Sequence, residues 1–419
     1  MGCMMKKKIL KLFIFLTIIS IDVTTLCDDY IEDQTEETDL VSYNNSTSID
    51  NIKEPILNSR SAVVIDRNTN FILYGKNENE KRKMASTTKI MTALIIIENY
   101  NLKDITKVSK KAASTGGSRV GLKTGDEISV KDLLYGLMLC SGNDAAVTLA
   151  EYASGSIENF SELMNKKAKE LNLNNTHFET PHGLDSDEHY TTAYELALLS
   201  NYALNNKTFS KIVCTKNYTI KINNNIKELK NTNELLGRIE GVYGVKTGFT
   251  NGANRCLVSS CKRNDIDIIC VVLGADTKKF RTTDSISLIN YIYNNFQTIN
   301  INTIITDTFN QWLEKNKDSF TINKGVSQRP IISLEKKTFN KIIIRKDFIE
   351  KCMPILTCQT SLNAPLYQNQ ILGNIHIKIS DTTSIDYNIN LSEHIYKKGF
   401  KNYFFEIIKS YKENLEYII

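Results

Sequence analysis

Apolar residues are spread unevenly along the 419-residue chain, and their pattern divides it into five segments. An apolar run over 12–21 follows four lysines, and residues 28–56 are acidic and polar. Residues 57–298 alternate between apolar runs of strand length and runs with helical spacing. Short alternating runs occupy 302–392, and an amphipathic stretch covers 396–419. These five segments are the predicted domain organisation.

The N-terminal segment predicts a signal peptide over residues 1–27. A basic stretch followed by about ten apolar residues is typical of export signals, whereas a membrane-spanning helix needs about 20. No clean small-residue cleavage site follows, so an uncleaved anchor is the alternative. Both interpretations export the rest of the chain to the extracytoplasmic face of the membrane. Residues 28–56 predict a disordered linker, because polar acidic sequence buries little apolar surface.

Residues 57–298 predict an α/β domain in which helices pack on an antiparallel sheet. Two apolar runs within 61–77 flank a polar turn and predict a hairpin. Apolar residues at helical spacing predict a set of helices, which cover 84–100, 129–139, 144–153, 191–204 and 283–296. Three strand-like runs follow one another over 241–250, 253–261 and 266–274. Asn251-Gly252 separates the first two runs and is a strong hairpin signal.

The C-terminal third has a different pattern of apolar and polar residues. Residues 302–392 predict a small β-rich domain, and 396–419 predict an amphipathic helix. The apolar stripe of this helix consists of Phe404, Ile408, Tyr411, Leu415 and Ile418. Such a helix docks on the small domain or lies on a membrane surface, and the sequence leaves both interpretations open.

The composition makes several classes of function improbable. Hydrophobic residues make up 41% and charged residues 24% of the chain, which is typical of a soluble globular protein. The net charge of +5 is small and no long basic run with interleaved aromatics occurs, so no nucleic-acid partner is predicted. The nine cysteines are irregularly spaced, and Cys352 and Cys358 are the pair considered for a bridge. Histidines lack zinc-ligand spacing with cysteine, so neither a metal nor a cofactor is predicted.

Three short patterns carry the candidate chemistry. They are Ser86-Thr-Thr-Lys89, Ser141-Gly-Asn143 and Lys246-Thr-Gly248, in that order along the chain. Each pattern is weak by itself, because Ser-x-x-Lys and Lys-Thr-Gly both recur elsewhere in this sequence. Structural context must therefore select the functional copies.

Ser86 lies at the start of the apolar helix predicted over 84–100, and Lys89 returns to the same face one turn later. A serine hydroxyl becomes a good nucleophile when a base takes its proton. A lysine can do so when it is neutral, which burial and a second nearby cation favour. The helix N-terminus also stabilises an oxyanion beside Ser86. The alternative is a helix cap with a lysine that extends to solvent.

Ser141-Gly-Asn143 falls between two predicted helices, where a tight loop can present side chains to a cleft. A second hydroxyl, from Ser141, can pass a proton to a leaving group. The Asn143 amide can both donate to and accept from a peptide bond. The alternative is a turn between helices with Asn143 as a cap.

The two Lys-Thr-Gly copies differ in their surroundings. Asp126 and Glu127 follow the copy at 123–125, which predicts a turn. The copy at 246–248 lies inside a strand, where alternation places Lys246 and Gly248 on one face and Thr247 on the other. Gly248 permits close approach of another backbone or a ligand. Lys246 is a candidate for the cation that keeps Lys89 neutral.

Together the three patterns resemble the signature of penicillin-binding proteins and serine β-lactamases. The segments MASTTKIMTALI, LMLCSGNDAAVTLAEY and VYGVKTGFTNGANRCLVSS resemble the low-molecular-mass serine D-alanyl-D-alanine carboxypeptidases. The resemblance is close over about 57–298 and implies the β-lactamase/transpeptidase-like fold. The family's small β domain and C-terminal amphipathic membrane helix match 302–419 in layout only.

The resemblance also implies a reaction and its partners. Ser86 would attack the penultimate D-Ala carbonyl of a peptidoglycan stem peptide, Lys89 would act as the base, and Ser141 would relay the proton to the leaving D-Ala. The product of the first step would be an acyl-enzyme on Ser86. β-Lactam antibiotics would act as covalent inhibitors of the same serine.

The substrate-binding residues implied by the resemblance surround this centre. Asn143 would hold the substrate amide, Lys246 would set the electrostatics, and Thr247 would lie near the terminal carboxylate. Backbone N–H groups of Ser86 and Phe249 would form the oxyanion hole, and Phe249 departs from the polar residue that the best-studied members carry.

Two further residues resemble family positions. Arg281 would help to bind the terminal carboxylate, and the alternative is a solvated residue that precedes a helix. His182 in the sequence PHGLD is assigned a structural role rather than base catalysis.

Two rival functions remain at this stage. Class A β-lactamases use an added glutamate to activate water, but Ala168 occupies the position where it would be wanted, four residues before Asn172. Slow hydrolysis of acylated penicillin is therefore expected. A wall-binding protein without activity is the second rival, and the intact serine and lysine patterns argue against it.

Overall fold

The computed structural model describes residues 52–416, with side chains through residue 412. The predicted signal peptide and most of the predicted linker lie outside the described residues. Residues 52–56 form no helix or strand, yet Ile52 packs against the core.

The strands, numbered in chain order, are β1 Ser61–Asp66, β2 Ile72–Lys76, β3 Ile105–Lys107, β4 Glu127–Ser129, β5 Asn217–Ile222, β6 Asn225–Lys230, β7 Val242–Thr250, β8 Asn254–Arg263, β9 Ile266–Ala275, β10 Phe296–Asn300, β11 Thr321–Asn323, β12 Ile332–Leu334, β13 Lys341–Arg345, β14 Ile355–Cys358, β15 Ser361–Asn363, β16 Ile371–Lys378 and β17 Ser384–Leu391. The α-helices are α1 Lys89–Asn99, α2 Lys110–Ser114, α3 Val130–Leu139, α4 Asn143–Ser154, α5 Ile157–Glu170, α6 Ala193–Leu204, α7 Lys207–Val213, α8 Lys278–Asn295, α9 Ile301–Asn316 and α10 Phe400–Glu416. Within residues 52–416, two 3₁₀ helices cover Ala85–Thr88 and Lys346–Lys351.

A five-stranded antiparallel sheet in the order β2-β1-β9-β8-β7 organises the first domain. Both faces of its central strands are covered. In β1, Val63 and Ile65 pack against the cluster of helices that includes α1, whereas Ala62 and Val64 pack on the side of α8. Continuous apolar sequence in these strands follows from burial on both faces. Helices on both sides of an antiparallel sheet confirm the predicted α/β fold class.

Most of the predicted elements in this domain are confirmed. Ser129 caps α3 by accepting a hydrogen bond from Asp132 N, and Thr192 caps α6 by accepting one from Glu195 N. Helix α8 begins at Lys278, five residues before the predicted start at 283, and Thr277 caps it. The polar first turn of α8 concealed this start, because its apolar spacing begins only further along.

The hairpin between β7 and β8 differs from the prediction. Three residues, 251–253, connect the strands, and neither Asn251 nor Gly252 has a left-handed backbone. A two-residue type I′ turn requires positive φ at both central positions. The predicted hairpin is therefore present, with a connection one residue longer than predicted and without a type I′ turn.

The C-terminal region contains a four-stranded sheet in the order β12-β17-β16-β14, as its alternating sequence predicts. It opens, however, with the long helix α9, which the prediction of a β-rich segment missed. Ile301, Ile305 and Phe309 of α9 are buried at helical spacing, a signal that its β-branched residues obscured. Strand β10 pairs with β13 and so crosses the predicted domain boundary. Cys352 and Cys358 are free thiols.

Helix α10 projects from the C-terminal region. Its side chains are exposed on all described faces, and Phe404, Ile408 and Tyr411 of the predicted stripe are 51%, 39% and 69% exposed. These three residues, the part of the stripe whose side chains are described, therefore do not dock on the small domain. Between residues 52 and 416, no helix has the length and apolar content needed to cross a membrane.

Candidate active site

Ser86 lies in the 3₁₀ turn that leads into α1. Thr87 and Thr88 stabilise this turn, because their hydroxyl groups donate hydrogen bonds to the carbonyl groups of Met84 and Ala85. Ser86 is half-buried while both threonines are buried. The hydrophobic run of α1 thus buries the turn and leaves Ser86 as its most accessible hydroxyl.

Lys89 is the first residue of α1 and is fully buried. Its Nζ donates hydrogen bonds to Ser86 Oγ at 2.8 Å, Asn143 Oδ1 at 2.7 Å and the His182 carbonyl oxygen at 2.8 Å. The contact with Ser86 is short enough for direct proton transfer. The predicted pairing of the two residues through helical spacing is therefore present in the structure.

Ser141 and Asn143 lie at the junction of α3 and α4. Ser141 is buried and has a left-handed backbone with φ of 62°, an unfavourable conformation for a residue other than glycine. Asn143 begins α4, and its Nδ2 donates to the Gly116 carbonyl at 2.7 Å while Oδ1 accepts from Lys89. Asn143 therefore joins Lys89 to the loop that contains Gly116.

Asp144 supports this junction and was missed by the sequence analysis. Its carboxylate accepts hydrogen bonds from the backbone N–H groups of Val120, Gly121 and Leu122 at 2.7 to 3.0 Å. The side chain is fully buried, and these donors compensate for its loss of hydration. An aspartate directly after Ser-Gly-Asn at a helix N-terminus was the available signal.

Strand β7 carries Lys246, Thr247 and Gly248 along the edge of the five-stranded sheet. A Cβ on residue 248 would lie 3.2 Å from the Ser86 nitrogen, so the strand backbone passes directly beside the 3₁₀ turn Ala85–Thr88, called the nucleophile turn after the role predicted for Ser86. Gly248 pairs with Cys256 on the face of α1, and Thr247 pairs with Leu257 on the face of α8. This matches the predicted alternation.

Lys246 and Thr247 are both buried. Lys246 Nζ donates to the Thr247 carbonyl at 3.0 Å, and the Thr247 hydroxyl shares a hydrogen bond of 2.7 Å with Thr232. Phe249 is half-buried, and the Arg255 guanidinium lies 3.7 Å from the centre of its ring. The electrostatic influence of Lys246 on Lys89 stays a prediction.

Arg281 lies within the first turn of α8 and is fully buried, so the alternative of a solvated residue before the helix is wrong. Its Nη2 pairs with Glu234 Oε1 at 2.5 Å, and Thr282 also donates to that oxygen. Burial raises the pKa of Glu234, but the charge of Arg281 and the hydrogen bond from Thr282 outweigh it, so the net pKa is lowered. The sequence analysis did not anticipate Glu234.

The segment 180–189, which contains PHGLD, packs against the nucleophile turn. The His182 carbonyl accepts from Lys89, and a Cβ on Gly183 would overlap the Ala85 carbonyl oxygen. His189 Nδ1 accepts from Glu179 N at 3.0 Å, so Nε2 carries the proton and donates to Thr88 Oγ1 at 2.7 Å. These contacts fit a structural role for the segment.

Burial, together with the nearby charge of Lys89, lowers the pKa of His182 to about 3, and burial, together with the nearby charge of His177, lowers the pKa of His189 to about 4. Both imidazoles are therefore neutral near pH 7. His182 Nδ1 accepts from Leu184 N at 3.2 Å, so His182 orders its own loop.

A half-buried serine lies within 2.8 Å of a buried lysine, beside the edge strand of an antiparallel sheet, and this is the arrangement that serine acyl transfer with a lysine base requires. Residues 49–277 match the D-alanyl-D-alanine carboxypeptidase family. The D-alanyl-D-alanine carboxypeptidase DacF of Bacillus subtilis strain 168 is 35% identical over 348 residues, which cover 82% of this chain and 87% of that protein.

Solved structures agree with the match. The D-alanyl-D-alanine carboxypeptidase DacD from Francisella tularensis is 26% identical with a TM-score of 0.67, covering 85% of this chain and 99% of that one. Penicillin binding protein 5 from Haemophilus influenzae is 26% identical with a TM-score of 0.68, covering 83% and 100%. The chain belongs to the D-alanyl-D-alanine carboxypeptidase family, and it is a serine-type enzyme of that activity.

Proposed function

We propose that this enzyme removes the terminal D-Ala from the pentapeptide stem of peptidoglycan by way of an acyl-enzyme on Ser86. The observation that carries the proposal is the 2.8 Å contact between Lys89 Nζ and Ser86 Oγ. The substrate class follows from the family and its named relatives.

The reaction has two halves. Ser86 Oγ attacks the carbonyl of the penultimate D-Ala while its proton passes to Lys89. The peptide C–N bond then breaks, and the leaving D-Ala amine receives a proton through Ser141. Water next cleaves the ester, which restores Ser86 and releases the shortened stem peptide as a carboxylate. Asn143 lies within hydrogen-bond distance of Lys89 and so links this proton path to the substrate amide.

We assign the oxyanion hole to the backbone N–H groups of Ser86 and Phe249. The close passage of Gly248 beside the Ser86 nitrogen supports this assignment, because it brings the two backbones together. Lys246 supplies positive charge, and Thr247 lies near the terminal carboxylate of the substrate. Arg281 acts on the same carboxylate through its charge rather than through direct contact, because its guanidinium is fully buried and paired with Glu234.

Two experiments test the reaction. A fluorescent penicillin should label the wild type and leave Ser86→Ala unlabelled, and D-Ala release from a pentapeptide mimic should vanish in the same variant. Equal D-Ala release by the two proteins would refute the proposed function. Nitrocefin should be hydrolysed slowly or not at all, and rapid turnover would instead favour a β-lactamase.

We further propose that the chain is exported through residues 1–27 and contacts the membrane surface through 396–419. The exposed aromatic and aliphatic side chains of α10 support the second part, since an unpartnered apolar stripe suits an interface. Deletion of 396–419 should release the protein from sedimented membranes. Unchanged sedimentation would exclude this helix as the anchor.

A further inference from the structure

Asp185 connects the loop that packs on the nucleophile turn to the end of the edge strand β7. Its Oδ1 accepts from the Thr250 hydroxyl at 2.7 Å, and its Oδ2 accepts from the Gly252 backbone N–H at 2.9 Å. Thr250 is the last residue of β7, directly after Phe249. Asp185 therefore holds the end of the strand that carries one proposed oxyanion donor.

The other end of this connection is anchored on the nucleophile turn. Gly183, two residues before Asp185, packs against the Ala85 carbonyl and the Thr88 hydroxyl. Lys89 Nζ donates to the His182 carbonyl, and Thr92 Oγ1 donates to the Pro181 carbonyl at 2.7 Å. Residues 181–185 thus form a brace of five residues between α1 and the β7–β8 hairpin.

Gly252 shows that the hairpin is shaped to receive this carboxylate. Its backbone lies outside the left-handed region, so its conformation does not require glycine. A Cβ at this position would instead lie 2.9 Å from both carboxylate oxygens and the carboxylate carbon of Asp185. Glycine at 252 is therefore explained by the approach of Asp185, and the hydrogen bond to its N–H depends on that approach.

We propose that Asp185 is a positioning residue that sets the distance between Ser86 and the oxyanion edge of β7. It does not touch the reacting atoms. Loss of its two hydrogen bonds lets the end of β7 move relative to the turn of Ser86, which misplaces the Phe249 N–H for the developing oxyanion. Because oxyanion stabilisation acts on the transition state, the acylation rate constant should fall more than the affinity for penicillin. This inference rests on the proposed acylation of Ser86.

The test measures acylation by a fluorescent penicillin, separating the rate constant at saturation from the half-saturating concentration. Asp185→Asn should lower the rate constant by about 5- to 10-fold, as expected for a lost hydrogen bond to a charged group near the surface. The half-saturating concentration should change little. Asp187→Asn is the matched control, because it removes a charge of the same sign only two residues from Asp185. The Asp187 side chain is 99% exposed, and its ion pair with Lys83 is 3.3 Å long.

A double-mutant cycle tests the geometry. Gly252→Ala should slow acylation by displacing the carboxylate, and it should add little to the loss in Asp185→Asn. Additive losses, a normal rate in Asp185→Asn, or an equal loss in Asp187→Asn would each overturn the inference. If Asp185→Asn does not fold, Thr250→Val removes the hydroxyl that donates to Asp185 and accepts from the Ala253 backbone N–H, and it should slow acylation. Thr250→Ser keeps this hydroxyl and should acylate at the wild-type rate. A wild type that penicillin does not label would refute the proposed function instead.

Discussion

Asn143 Oδ1 lies 2.7 Å from Lys89 Nζ, although 54 residues separate the two along the chain. A neutral amide at this position accepts a hydrogen bond from the lysine without adding a charge. A carboxylate would favour the ammonium form, which cannot accept the Ser86 proton. An amide rather than a carboxylate at position 143 is therefore required if Lys89 is to act as the base.

We expect Asn143→Asp to slow penicillin acylation near pH 7 by about 10- to 100-fold, because a carboxylate at this distance favours a charged lysine. The acylation rate measured against pH should recover at higher pH than in the wild type. Asn143→Leu is the control, since it loses the same bond to the Gly116 carbonyl without adding charge. Identical pH profiles for the two variants would contradict this view of Asn143.

Gly183→Ala should destabilise the fold and impair acylation together. Gly183 has φ of 86°, and an added Cβ would overlap the Ala85 carbonyl of the nucleophile turn. Conformational strain and overpacking together should cost about 2–4 kcal/mol of unfolding free energy, measured by urea denaturation. Gly155→Ala is the matched control, because Gly155 has φ of 80° with no atom near its missing Cβ, and about 1 kcal/mol is expected there. Equal losses in both variants would show that crowding by Ala85 contributes nothing.

The Glu234 carboxylate pairs with the buried Arg281 guanidinium, and removing its charge should destabilise the fold. Arg281 is fully buried and Glu234 only partly exposed, so Glu234→Gln should cost about 3 kcal/mol of unfolding free energy. The double variant Glu234→Met/Arg281→Met removes both charges and should be the more stable of the two. A double variant less stable than Glu234→Gln would contradict the interpretation that losing the Glu234 charge beside the buried guanidinium causes the destabilisation.

The lowered pKa values of the two buried histidines, His182 and His189, predict a loss of stability in acid. Their pKa values are lowered from 6.5 to about 3 for His182 and about 4 for His189, so the unfolded chain binds more protons below pH 6.5. The stabilisation that comes from keeping both imidazoles neutral is fully present above pH 6.5, and it is lost as the pH falls toward the pKa values of the folded state. Each histidine should reduce the unfolding free energy by about 1.4 kcal/mol per pH unit within this window.

Urea denaturation between pH 7 and pH 4.5 measures this dependence. His189→Gln should be less stable at pH 7, since it disturbs the bonds to Thr88 and Glu179, but its stability should fall less steeply with acid. The same slope in variant and wild type would show that His189 is not one of the groups responsible.

The sequence by itself determined the elements and their order. Apolar runs predicted the central strands and α1, because these elements are buried on every side and their sequence must be apolar throughout. Local spacing placed Ser86 and Lys89 on one helical face, since that relationship spans a single turn. The caps at Ser129 and Thr192 were likewise local, and each was predicted from residues three positions apart.

Only the tertiary structure decided which distant groups meet at the site. The bond from Lys89 to the His182 carbonyl, the pair of Arg281 with Glu234 and the bond from Asp185 to Gly252 each join residues at least 47 positions apart. No periodicity links such positions, because their contact depends on how the sheet and helices pack. Gly252 shows the difference most directly: its sequence indicated a hairpin, whereas the packed structure showed that glycine there leaves room for a carboxylate from another loop.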